Sequence, residues 1–104
     1  MLNIELDNEG FLVSSNQWDR SIANHLASQE GIKLDDGHWE IISLLQEFYE
    51  ETDTVPEMRP LANLISKKLG KEKSKSIYLM LLFGGSPAKT AAKISGLPKP
   101  SNCI

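Results

Sequence analysis

The stretch KLDDGHWEIISLLQEFYEE, residues 33–51, constrains the fold more than any other part of the chain. Trp39, Ile42, Leu45 (or Ile41) and Tyr49 recur at steps of three and four, which lines them up on one face of an α-helix. Asp35 and Asp36 precede that helix. A periodic run of this length is the strongest helical signal in the sequence and the expected centre of the fold. Its aromatic residues read as core rather than as a cofactor box.

Punctuation on either side sets the other elements. Ser15 or Asn16 is placed to cap a helix running to Glu30, with Trp18, Ile22 and Leu26 four apart on one face and Gly31 at its end. Pro56 disfavours helix at Val55 and donates no backbone hydrogen bond, so a new helix is expected over residues 57–69. Leu61, Leu64, Ile65 and Leu69 share its apolar face, and Gly70 ends it. The run Ile77 to Phe83, preceded by KEKSKS and closed by Gly84-Gly85, reads as a buried helix over 74–83. Ser86 caps a last short helix with Pro87 in its first position, which runs to about Ser95 and stops at Gly96. At the other end, apolar residues flank the turn-forming DNEG, so residues 2–13 read as a β-hairpin.

Together these readings give a mainly α (α+β) fold: about five helices, a small N-terminal β-hairpin and an extended C-terminal arm. With 104 residues, 40% hydrophobic and 24% charged, the chain is expected to form one domain, 1–104, around a single core. No apolar run approaches the roughly 20 residues that span a bilayer, and MLNIELDNEG has neither the basic start nor the apolar stretch of a signal peptide. A cytoplasmic protein without membrane contact is expected. Charge is unevenly spread: up to Ile65 three cations face thirteen acids, whereas from Ser66 onward eight lysines face Glu72 alone. Such a split suits an acidic partner or RNA, or serves solubility.

The one cysteine, Cys103, stands next to last, on an arm (residues 97–104) carrying Pro98 and Pro100. A terminus is a poor place for a packing thiol. Leu97 can dock on the body, while the two prolines keep the rest of the segment extended, so the arm is expected to project. Six extended residues from Pro98 to Cys103 reach roughly 20 Å, enough for a thiol to enter a partner's pocket. A catalytic cysteine working alone needs a fixed base and an oxyanion site, which an arm cannot hold in place. His25, His38 and one cysteine match no zinc spacing, and neither metal nor cofactor is implied.

HWEIISLLQEFYEE followed by Pro56 and Arg59, then YLMLLF, PAK and the closing KISGLPKPSNCI, resemble the DsrC/TusE family over nearly the whole chain. The ending GLPKP-x-x-C-x is the most specific part. The resemblance implies a mainly helical fold with an N-terminal hairpin and a mobile C-terminal arm. The DsrC type carries a second cysteine, at the position held here by Ala92, and cycles through a disulfide or trisulfide. The single-cysteine TusE type, favoured here, is implied to be a sulfurtransferase acting within a relay rather than as a stand-alone enzyme. On that resemblance Cys103 accepts a persulfide sulfur from a TusBCD-type donor complex and passes it to an MnmA-type thiouridylase bound to tRNA, for 2-thiolation of wobble uridine. Where the family commonly has arginines this chain has Ile77 and Leu81, and Phe83-Gly84-Gly85-Ser86-Pro87 replaces Phe-Pro-Lys-Gly-Pro. Lys89, Lys93 and Lys99 keep the region basic and are the expected supporting residues.

Two other readings compete. One is a DsrC-like partner of a sulfite reductase or sulfur-oxidation system. The other is a helix-turn-helix-like nucleic-acid-binding regulator using the helix pair 57–69 and 74–83, against which stand the acidic balance of the chain and the lack of an arginine-rich recognition helix. No tight direct nucleic-acid binding is expected.

Overall fold

The computed structural model describes residues 4–100. Within them the chain forms a short 3-10 turn and six α-helices: α1 (Arg20–Gln29), α2 (Asp36–Thr52), α3 (Met58–Leu69), α4 (Lys71–Ser74), α5 (Ser76–Phe83) and α6 (Pro87–Ile94). Cys103 and the last residues of the arm lie outside the described residues.

Among the described residues the expected hairpin is a turn closed by an antiparallel bridge between Leu6 and Leu12, with Asp7 N–H donating to Phe11 O and Val13 N–H to Glu5 O on either side of it. The Asp7 carboxylate accepts from the backbone N–H groups of Glu9 and Phe11, both at 2.9 Å, and Gly10 turns the chain with φ 87°. Phe11 and Leu12 are both buried although adjacent, which breaks the two-residue alternation that a longer strand needs.

The first helix also starts later than the sequence suggests. Ser15–Gln17 form the 3-10 turn, and Asp19 is the N-cap, its carboxylate accepting from Ile22 N–H at 2.9 Å. Trp18 therefore precedes the helix instead of riding on its face, while Ile22 and Leu26 are buried as expected. At α2 the Asp35 carboxylate accepts from Gly37 and His38 N–H, and the His38 ring returns to the Asp35 N–H, a reciprocal capping box. Its buried side holds Ile41, Ile42, Leu44 and Leu45. Trp39 is only half-buried, with the Arg20 guanidinium 4.3 Å above its ring centre.

The centre of the fold is α6 rather than α2, since α6 packs against α1, α2, α3 and α5. Ala88, Ala91 and Ala92 carry its buried face with Thr90 and Ile94, and methyl-sized side chains let four helices approach one short axis closely. Ser86 stands at its N-cap without a side-chain cap bond, and Pro87 occupies the first turn. The expected helix over 74–83 starts two residues later, as α5 at Ser76, because Lys75 is extended (ψ 139°) and Ser74 ends the separate short helix α4. Nor is α5 a buried helix: Leu79 and Phe83 face the core, but Ile77, Met80 and Leu81 are 70, 48 and 80% exposed.

Candidate functional site: the root of the cysteine arm

Whatever the arm presents is aimed by the residues at which it leaves α6. The helix ends in a Schellman motif. Gly96 takes φ 75°, its N–H donates to Lys93 O at 3.1 Å, and Leu97 N–H donates to Ala92 O at 3.0 Å. Leu97 is buried as the accompanying apolar contact. The two carbonyls this motif leaves over are taken from elsewhere in the chain. Trp18 Nε1–H donates to Ile94 O at 2.8 Å, and Gln46 Nε2–H donates to Ser95 O at 2.9 Å. The Ser95 hydroxyl turns back to Ala91 O at 2.7 Å. Each carbonyl from Ala91 to Ser95 thus has a donor, which fixes the direction in which the chain emerges.

Beyond Leu97 the expected projection is corrected as far as the described residues go. Pro98 is exposed, but Lys99 is half-buried and Pro100 is buried, so the arm first lies along the body. Lys99 Nζ donates to Glu9 Oε1 at 2.9 Å, and Lys89 Nζ sits 3.8 Å from the same oxygen. Glu9, on the N-terminal turn, is therefore shared by the arm and α6. The hydrogen bond from Lys99, followed by the charges of Lys99 and Lys89, holds the Glu9 carboxyl below its ordinary value against opposing burial and Asp7.

The third lysine, Lys93, points to Glu30 Oε2 at 3.5 Å and lies 5.3 Å from the Phe11 ring centre, its stem against Gly10. The structure thus gathers Lys89, Lys93 and Lys99 between α6, the N-terminal turn and the end of α1, each beside a carboxylate. Sequence reasoning selected the lysines but missed Glu9, Glu30, Trp18 and Gln46. Trp18 and Gln46 carry no motif, and a Schellman ending at Gly96-Leu97 was the one available hint that unpaired carbonyls would need donors there.

Ala92, the position to which the sequence resemblance assigns a second cysteine in the DsrC type, is fully buried in α6. Among the described residues there is no cluster of His, Cys, Asp or Glu able to hold a metal ion, and no helix is long and apolar enough to cross a membrane.

The family model described as DsrC like protein matches residues 2–104. The chain belongs to the DsrC-like family. Among family relatives, sulfurtransferase TusE of Photorhabdus laumondii is 50% identical over 97% of this chain and 91% of its own. Sulfurtransferase TusE of Escherichia coli K12 is 46% identical over 97% of this chain and 93% of its own. The solution structure of Allochromatium vinosum DsrC superposes with a TM-score of 0.88 at 44% identity, covering 97% of this chain and 90% of that one. The oxidised gamma-subunit of dissimilatory sulfite reductase from Archaeoglobus fulgidus gives 0.82 at 34% identity, covering 97% and 92%. The DsrC-like fold is therefore shared by relatives named for sulfur transfer and by a subunit of a sulfite reductase.

Proposed function

We propose that this DsrC-like chain is a sulfur carrier that holds a persulfide on Cys103, loaded by a TusBCD-type donor and unloaded to an MnmA-type thiouridylase for wobble-uridine 2-thiolation. The observation that carries this reading is near-full-length identity to proteins named sulfurtransferase TusE, in a chain whose one cysteine sits on the terminal arm. The step is a sulfur exchange without net redox change. The Cys103 thiolate attacks the outer sulfur of the donor's persulfide, a new S–S bond forms, the donor's S–S bond breaks, and its electron pair leaves with the donor thiolate. An unperturbed thiol, with a pKa of about 8.5, is a few per cent thiolate at neutral pH, so the donor's pocket supplies part of the activation.

The built root supports the reading because a carrier needs an arm with a fixed origin. With Pro100 on the body, the three residues to Cys103 reach roughly 10 Å; lifting the chain back to Leu97 extends that to roughly 20 Å. Incubation with a cysteine desulfurase and the donor complex, followed by intact mass spectrometry, should show one added sulfur on the wild type and none on Cys103→Ser. A persulfide that persists in the serine variant sinks the reading.

A second reading is favoured by one observation, the likeness to a sulfite reductase gamma-subunit. On it the chain binds such a reductase through the arm without cycling, since Ala92 offers no second thiol. Copurification of a sulfite reductase rather than a tRNA-modifying complex would select it.

A further inference from the structure

The most exposed apolar side chains among the described residues are on α5. α5 is apolar on every side, a composition expected of a buried helix, yet only Leu79 and Phe83 are buried along its length. Ile77 and Leu81, one turn apart, stand 70 and 80% exposed and, with Tyr78, line a groove of about 500 Å³ whose remaining walls are Glu72, Lys73 and Lys75. Two large aliphatic side chains held side by side in water at a concave site mark a contact surface.

The charges around the groove restrict what would fit it. Lys71, Lys73 and Lys75 lead into α5, with Glu72 the one acid among them. Lys73 is held by Glu40 at 2.7 Å, whereas the Lys75–Glu72 pair, at 3.3 Å, is between two exposed side chains, and such pairs exchange readily for another carboxylate. Lys71 is exposed and has no ion-pair or hydrogen-bond partner among the described residues for its ammonium group. Two copies meeting face to face through α5 would bring like charges together around the apolar contact. A contact between this face and the acidic half of another copy would be head-to-tail and would propagate rather than close. A surface that fits presents apolar side chains ringed by carboxylates.

We propose that α5 is the docking face for the protein that loads Cys103, through Ile77 and Leu81 seated in an apolar hollow with an acidic rim. This rests on the sulfur-carrier reading. The loading partner is chosen over the unloading one on charge. A protein that holds tRNA needs a basic surface, which would repel this rim, whereas a persulfide donor has no such requirement.

The test compares the full-length wild type with an Ile77→Asp/Leu81→Asp double variant, whose exposed side chains leave the core face of α5 untouched, as checked by an unchanged circular dichroism spectrum and melting temperature. Loading of Cys103 is followed by mass spectrometry with the purified persulfidated donor and, separately, with inorganic polysulfide. The expected result is a rise of about tenfold or more in the apparent KM for the donor in the double variant, with polysulfide loading unchanged. Lys71→Glu should produce a smaller rise that disappears at high salt. Equal donor kinetics in wild type and double variant overturn the docking face while leaving the carrier reading standing. Donor binding that is lost in the double variant, with no sulfur appearing on Cys103 in either protein, supports the docking face and overturns the carrier reading. No binding of the donor by the wild type overturns the docking proposal, and so does a double variant that loses self-association or tRNA binding instead.

Discussion

The indole N–H of Trp18 donates to the carbonyl of Ile94 at 2.8 Å, joining the residue before the N-cap of α1 to the last residue of α6. Close behind it, a Cβ on Gly96 would come within 2.5 Å of Trp18 Cδ1. The tryptophan thus supplies a donor that the helix end lacks and occupies the space that the glycine leaves empty.

Trp18→Phe keeps most of the packing but orphans the Ile94 carbonyl, and is expected to cost about 1–2 kcal/mol. Gly96→Ala should cost more, about 2–5 kcal/mol, because a φ of 75° and the contact with Trp18 both oppose a methyl group. Gly85→Ala, with nothing within 4 Å of the added carbon, is the control, at under about 0.5 kcal/mol. Urea denaturation of the three variants checks the order; equal midpoints for Gly96→Ala and Gly85→Ala would show that the root is not packed as described.

Glu9 joins the arm to the body, and its charge sets when. Its carboxyl titrates below the ordinary 4.5, so the tether to Lys99 is complete above that value and is lost as pH falls through the lowered one. Glu9→Gln should loosen the arm at neutral pH. The backbone order parameter of Lys99 is expected to fall in the variant, and in wild type at low pH or in about 1 M salt, while Leu97, held by its bond to Ala92 O, stays rigid. A Lys99 order parameter insensitive to all three changes counts against the tether.

How far the sequence led differs from element to element, for physical reasons. Periodicity and breakers located α2, α3 and α6 closely because Gly70, Pro87 and Gly96 act on the backbone itself, whatever packs nearby. The start of α1 was misplaced because Ser15, Asn16 and Asp19 are all competent caps, and the choice among them is made by Trp18 reaching across to Ile94. The apolar run of α5 reads as buried since composition does not say which neighbours exist, and too few elements surround this helix to cover Ile77 and Leu81. In the candidate site, the cysteine arm and its lysines were legible as sequence. Glu9 and Gln46 were not, because their partners lie 90 and 49 residues away.

His38 is another residue whose role emerges only in three dimensions. Buried against the edge of Phe83, it donates from Nε2 to Leu82 O at 2.7 Å and so ties the start of α2 to the end of α5. Nδ1 faces both the Asp35 N–H at 3.1 Å and the Asp35 carboxylate at 3.0 Å, accepting from the first when neutral and donating to the second when protonated. His38→Ala leaves a carbonyl and an N–H unpaired and opens a cavity, for an expected loss of about 2–4 kcal/mol; Asp35→Ala should cost about 0.5–2 kcal/mol. Thermal denaturation of both variants tests the ranking.

Asp35 and Lys73 each tie stability to pH, on opposite sides of neutrality. The His38 ring and the backbone N–H groups hold the Asp35 carboxyl below its ordinary 3.8, so the cap contributes fully above that value and is lost as pH falls through the lowered one. Lys73 is raised above 10.5 by its hydrogen bond to Glu40, and its contribution is complete below 10.5 and lost as pH climbs through the raised value. Urea midpoints followed against pH should therefore flatten on the acid side in Asp35→Asn and on the alkaline side in Glu40→Gln. A wild-type slope retained in either variant would assign it to other groups.

Neighbours on α5 should part company under mutation. Leu79 is fully buried among the core side chains, so Leu79→Ala removes transfer energy and leaves a cavity, at an expected cost of about 2–4 kcal/mol. Leu81 is 80% exposed, and Leu81→Lys removes apolar area from water contact without touching the core, so stability should change by no more than about 0.5 kcal/mol. Solubility at high concentration should rise with the added charge, since an aliphatic contact surface is replaced by a solvated one. Guanidinium denaturation separates the two effects: a large loss for Leu81→Lys would mean that this leucine supports the fold, and the exposed face would then have no claim to be kept for a partner.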